Sequence, residues 1–283
     1  QFNNTEHAAN LFGLKEFGNI YSRLTNPTVG ILENRLTELE DGAMCVALSS
    51  GTSAVMYSLI NIMSQGDNFV TANQLYGGTY TMFDNILPEY GITGKKVDIT
   101  DLTAVEEAID DKTRAIYCET ITNPGLVVAD LEALSKIAHS KGIPLIVDAT
   151  FTTSAILKPF EFGADIVVYS LTKWMSGHGR VIAGAVIEKG GFDWGNGNFP
   201  LYDKPDTSYG GMRWGHDLGD LGNVAYSLRL RTVPLRNLGA NMSPDTAFEV
   251  MSGLETLGLR MERHCENAIK AAEYLSNHDL VEW

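Results

Sequence analysis

The feature that most constrains this chain is an alternation of short, continuous apolar runs with stretches of helical spacing. Ala43–Leu48 (AMCVAL), Asn68–Ala72, Ile92–Val97, Ala115–Cys118, Ile143–Val147, Asp165–Tyr169 and Ile182–Ile187 read as strands, Ile92–Val97 being the weakest. Helical patterns follow from Thr52 to about Met63, from Tyr76 onward, over Leu102–Ile109 and over Leu131–His139. A strand buried on both faces needs apolar side chains in both directions, and parallel strands need crossover helices. The pattern therefore predicts an α/β fold with a mostly parallel sheet covered on both faces. Before the first strand, Asn26-Pro27 marks a loop. The run TVGILENRLTELE from Thr28 then places Ile31, Leu32, Leu36 and Leu39 at helical spacing.

Two later stretches depart from this rhythm. From Phe192 to about Asp220 the chain is rich in Gly, Pro and aromatic residues, which predicts a long ordered loop or insertion. From Pro244 the helical pattern returns as one or two long helices. Leu280-Val-Glu-Trp283 has the character of a strand start, so the expectation is a chain that stops inside a further, C-terminal domain.

Charge and cysteine usage narrow the function. With 21 basic against 35 acidic residues the net charge is −14, which disfavours nucleic acid and anionic membrane as partners. No run of 18 apolar residues is present and the start is polar, so neither a membrane span nor a signal peptide is expected. Cys45, Cys118 and Cys265 are an odd, widely spaced set, read as free thiols of a cytoplasmic protein. The six histidines form no H-E-x-x-H or similar cluster, so no metal site is expected. No G-x-G-x-x-G follows the first strand, which argues against a dinucleotide-binding oxidoreductase.

In sheets of this kind ligands bind outside the carboxyl ends of the strands. Ser49-Ser50-Gly51-Thr52 opens a helix there, either to bind phosphate on its N–H groups or as an ordinary cap. Tyr76 could stack on a flat ring or simply pack. Glu119 and Asn123-Pro124 could contact a polar ligand or make a turn. Asp148 ends an apolar strand, where a carboxylate is costly without a partner. That partner is either a protonated ring nitrogen or a structural donor. Lys173, just after Ser170 and Thr172 and among Leu171, Trp174 and Met175, would be a usable amine if desolvated. Together these are the parts that pyridoxal phosphate requires: an amine, an acid for the pyridine nitrogen and a phosphate clamp.

The same residues carry a resemblance. SLTKWMSGHG, with YSRLTNPT, SSGTSA, LYGGTY, ETITNP and VDATF in order, resembles the Cys/Met-metabolism pyridoxal-phosphate enzymes of aspartate-aminotransferase fold type I. That resemblance implies a three-layer α/β/α transferase fold. It implies Lys173 as the cofactor lysine, Asp148 at the pyridine nitrogen with Thr150 close by, and Asn123 near the phenolic oxygen. It also implies a phosphate clamp from Gly51, Thr52, Ser170 and Thr172, and Tyr76 as both ring-stacking group and acid/base. Tyr21 and Arg23 would reach the phosphate of a neighbouring subunit in a homodimer or homotetramer. The organisation implied is an arm over residues 1–35, a cofactor domain over 36–243, and linking helices with the start of a C-terminal domain over 244–283. The insertion FDWGNGNFP…PDTSYGG resembles the O-acetylhomoserine sulfhydrylase branch. The implied reaction is γ-replacement of the acetate of O-acetyl-L-homoserine by sulfide or a small thiol; the alternatives are a cystathionine γ-synthase or γ-lyase of the same family and, outside that class, a truncated pyridoxal-phosphate-binding protein without catalysis.

Overall fold

The apolar runs do become strands of one sheet. The computed structural model describes residues 2–13, 15–16 and 18–282. The strands are β1 (Met44–Leu48), β2 (Asn68–Ala72), β3 (Thr93–Val97), β4 (Thr113–Glu119), β5 (Leu145–Asp148), β6 (Ile166–Tyr169) and β7 (Gly184–Glu188). The helices before the last strand are α1 (Thr5–Phe12), α2 (Pro27–Glu40), α3 (Gly51–Ile60), α4 (Gly77–Thr81), α5 (Leu102–Glu107), α6 (Leu131–Ser140) and α7 (Thr153–Ile156). After it come α8 (Pro200–Asp203), α9 (Ala225–Leu230), α10 (Arg236–Leu238), α11 (Pro244–Leu254) and α12 (Leu257–Ser276).

The strand order is β1-β7-β6-β5-β4-β2-β3. All neighbours pair in parallel except β7, which runs antiparallel to both β1 and β6. Every residue of β2, β4, β6 and β7 is buried, as a sheet covered on both faces demands. The weak strand β3 lies at an edge, where Lys95 and Lys96 suit a strand with one unpaired side. One consequence governs the rest: β1, β2, β4, β5 and β6 all end on the same edge of the sheet.

The sequence reading of α2 needs one correction. Asn26 caps the helix by accepting from the Thr28 and Val29 N–H groups, and Pro27 occupies the first turn, where its missing N–H costs nothing. Ile31 is not on the buried stripe; it is 61% exposed. The inward face is Val29, Leu32, Glu33, Leu36 and Glu40. Two carboxylates on that face are tolerated because each has a partner. Glu33 pairs with Arg231 at 2.8 Å and accepts from the Ala47 N–H, while Glu40 accepts from the Tyr169 hydroxyl.

The glycine- and aromatic-rich stretch is ordered and folded on itself. Trp194 lies between the rings of Tyr202 and Tyr226, with centroids 5.1 and 5.0 Å away, and Phe199 meets its edge. Burial of four aromatic rings supplies an anchor that the short helical turns alone could not. Further on, α11 and α12 account for the two expected helices. Leu280–Glu282 forms no strand, since a strand needs a neighbour to pair with, and Trp283 lies outside the described residues. Among the described residues, no helix is long and apolar enough to cross a membrane.

Candidate functional site

At the shared edge of the sheet lies a cavity of about 670 Å3, within the range of small-molecule sites. Its wall includes Gly51, Thr52, Tyr76, Glu119, Asn123, Asp148, Thr150, Ser170, Thr172 and Lys173. Nine of the eleven residues given cofactor roles from the sequence are thus brought together, with Glu119, from five chain segments. The exceptions are Tyr21 and Arg23, which stand exposed on the loop before α2, with the guanidinium 5.4 Å from the Tyr21 ring centroid.

The opening of α3 forms one end of the cavity. Ser50 caps the helix, its hydroxyl accepting from the Ser53 N–H. The first N–H groups of a helix have no partner within it, so those of Gly51 and Thr52 point out of the helix end toward the cavity. A Cβ at Gly51 would stand 2.8 Å from the Ser170 hydroxyl, so only glycine lets α3 approach the end of β6 this closely. Thr172 lines the same region, but its hydroxyl is committed to both backbone groups of Ala183, accepting at 3.0 Å and donating at 3.2 Å. That exchange also explains why β7 starts at Gly184 and not at Ile182, which is 68% exposed and lines the cavity.

Asp148 stands in the floor. The Thr150 N–H donates to its Oδ1 at 2.9 Å, and the Tyr117 hydroxyl reaches Oδ2 at 3.4 Å. Burial raises its pKa, and these hydrogen bonds oppose the shift. Thr150 is fixed in turn, its hydroxyl accepting from the Ser170 N–H at 2.8 Å. Tyr76, 48% exposed, also lines the cavity.

Lys173 differs from expectation in one respect. Leu171 and Met175 are buried, but Lys173 itself is exposed and lines the cavity. The sequence put the apolar neighbours in the right places without showing that alternate residues of this turn face opposite ways. The Lys173 segment is instead held from behind. Arg260 on α12 donates to the Trp174 carbonyl at 2.6 Å and to the Gly253 carbonyl at 2.8 Å. Gly253 touches the Met175 and Ser176 carbonyls so closely that a Cβ would collide with both. His264 lies 4.6 Å, centroid to centroid, from the Trp174 ring. Arg180, just beyond, pairs with Glu249 of α11 at 2.6 Å.

Sequence reasoning gave Glu119 no definite role, although its signal equalled that of Asp148: a carboxylate ending an apolar strand. It is 5% exposed, and its two oxygens accept from the Tyr76 and Asn123 N–H groups at 2.7 and 3.0 Å. Burial, with Asp148 nearby, pushes its pKa up to about 7. Arg260 and Gly253 carried no such signal, because their partners lie far away in the chain.

These groups fit pyridoxal phosphate. An amine faces the cavity, a carboxylate with spare acceptor capacity lies in its floor, and outward N–H groups with the Ser170 hydroxyl line one end. Among the described residues, no group of three or more metal-ligating side chains occurs.

Comparison with known proteins agrees with the geometry. The chain is 46% identical over its whole length to O-acetyl-L-homoserine sulfhydrylase of Leptospira meyeri and 44% identical to homocysteine synthase of Schizosaccharomyces pombe. It spans 65% and 66% of their lengths. A crystal structure of an O-acetylhomoserine (thiol)-lyase from Campylobacter jejuni, containing N'-pyridoxyl-lysine-5'-monophosphate, superposes with a TM-score of 0.94. It shares 40% identity with this chain, and the match covers 99% of this chain and 68% of that one. A family model described as Cys/Met metabolism PLP-dependent enzyme matches residues 1–283, and the chain belongs to that family.

Proposed function

We propose that the protein carries out γ-replacement on O-acetyl-L-homoserine, exchanging acetate for sulfide or methanethiol to give homocysteine or methionine. The observation that carries this reading is whole-length identity of 42–46% to relatives named for O-acetyl-L-homoserine sulfhydrylation, together with a cavity that assembles the cofactor groups.

In this reading the outward N–H groups of Gly51 and Thr52 and the Ser170 hydroxyl hold the phosphate. Thr172 takes part by fixing the Ala183 backbone beside it. Asp148 faces the pyridine nitrogen, Asn123 the phenolic oxygen and Tyr76 the ring. When bound, pyridoxal phosphate withdraws electrons from the substrate Cα and so makes its proton removable. The Lys173 amine would take that proton, hand it to the bound cofactor and, neutral again, take one from Cβ, returning both in reverse order once the thiol has added at Cγ. Tyr76, at the rim, exchanges a proton with the group leaving Cγ. Ile121, Phe151 and Ile182 contribute apolar surface that limits water around the substrate.

Tyr21 and Arg23, exposed here, would serve the phosphate of a second subunit, so the working form is a homodimer or homotetramer in the cytoplasm. Residues 1–35 would be the arm that makes this contact, 36–243 the cofactor domain and 244–283 the link to a further domain.

The test supplies O-acetyl-L-homoserine with sulfide, with cysteine or with neither, and identifies products by mass. Homocysteine and acetate from sulfide are expected. Cystathionine from cysteine would point to a synthase, and 2-oxobutanoate without a thiol to a γ-lyase; either as main product would overturn the reading.

A further inference from the structure

Glu119 is placed at high cost. It is almost wholly buried, and in the sheet register it sits directly across from Asp148 on the neighbouring strand, so two carboxyls share one end of the sheet. Like charges side by side away from water are unfavourable, and a fold that needed only a turn here could use a neutral residue. What Glu119 gains is two backbone partners from separate segments. Oε1 accepts from the Tyr76 N–H at 2.7 Å and Oε2 from the Asn123 N–H at 3.0 Å.

Among the described residues, no other acceptor meets the Tyr76 or the Asn123 N–H. Tyr76 stands at the N-cap of α4 with no side-chain capping bond there, and its ring is half exposed. Asn123 is exposed at the start of a loop closed by the Ile121–Val128 bridge and by hydrogen bonds of Thr122 to Leu126 and Val127. One carboxylate thus ties together the two groups that face the cavity from its Tyr76 side.

We propose that Glu119 is a positioning residue: by gripping the backbones of Tyr76 and Asn123 it sets where the tyrosine ring and the asparagine amide stand against bound pyridoxal phosphate. This rests on the cavity being the cofactor site. Only a group with two acceptor oxygens performs the task. In Glu119→Gln one arm becomes an amide NH2, which meets a backbone N–H donor to donor and releases one of the two segments.

The experiment compares the chain and E119Q loaded with pyridoxal phosphate. It reads the cofactor dissociation constant by fluorescence and the visible circular dichroism of the bound cofactor, whose asymmetry depends on the ring over it. E119Q is expected to weaken binding about 10-fold and to lower the dichroic amplitude, with little change in melting temperature. In a Tyr76→Ala, Asn123→Ala background the same substitution should cost less than about 2-fold, because the groups it acts through are gone. If E119Q fails to fold, Glu119→Asp, which keeps both acceptors but withdraws them by one methylene, carries the same readouts. Unchanged affinity and dichroism, or an undiminished effect in the double background, overturns the proposal. An unsubstituted chain that takes up no pyridoxal phosphate overturns the cavity reading, and the proposal with it.

Discussion

Two irregular stretches of this chain stand in contrast: the aromatic insertion that starts at Phe192 and the rim of the cavity. In the insertion every large polar ring finds its partner inside the chain. Trp194 donates to Glu188 at 3.2 Å, Tyr202 accepts from Asn61 at 3.0 Å, and Trp214 donates to Asp206 at 2.9 Å. At the rim, Tyr76, Phe151, Ile182 and Lys173 are exposed, while the groups that hold them, Glu119, Thr150 and Arg260, are largely withdrawn. The difference teaches where function lies. Both regions are loop-rich, but one spends its polar groups on itself and the other turns them toward the cavity.

The contrast predicts opposite responses to substitution. Lys173→Ala should reduce turnover by at least about 10^3-fold, since in the proposed mechanism this amine moves both protons. Its exposed position means that urea unfolding should stay within about 1 kcal/mol of the parent. A large loss of stability would show that Lys173 belongs to the scaffold and break the comparison. Trp194→Ala should do the reverse, costing about 3–5 kcal/mol of stability by opening a void among four rings. Cofactor affinity per folded molecule should not change. Loss of affinity without loss of stability would place the insertion in the site.

A third test uses pH. Glu40, Glu119 and Glu188 are buried carboxyls whose pKa burial raises from an ordinary 4.5 to about 7. A raised value means that the unfolded chain ionises first, so stability from these groups is complete below about pH 4.5 and is lost as pH rises through about 7. Glu40→Gln removes one such group far from the cavity rim, so its urea midpoint should fall less between pH 5 and pH 8 than the parent's. The gain at pH 8 relative to pH 5 is on the order of 2–3 kcal/mol at most; parallel pH curves would refute it. The smallest effect is expected of Arg180→Ala. Its pair with Glu249 is half exposed on the arginine side, so less than about 1 kcal/mol should be lost. A larger loss would add Arg180 to the groups that hold the Lys173 segment.

The sequence made most of the sheet legible because buried parallel strands are apolar on both faces. Asn68–Ala72 matched to the residue, and β4 and β6 within a few residues. The edge strand β3 was faint for a physical reason, since an edge favours the lysines that erase the apolar signal. Ile31 was misplaced because helical spacing alone does not separate a buried stripe from its neighbours one turn away. The cavity residues were legible as chemistry at strand ends, whereas their supports were not. Thr172 reads as a free hydroxyl until Ala183 is seen to claim it, and Arg260 reads as a surface arginine until the fold brings it to Trp174.

That last contact bears on how this protein would be re-engineered. A library that randomised only cavity-lining positions would leave Gly253 and Arg260 untouched, although they pack against the backbone of the segment that presents Lys173. Selection for altered chemistry at Lys173 has a second dial in the α11–α12 elbow, away from the cavity wall.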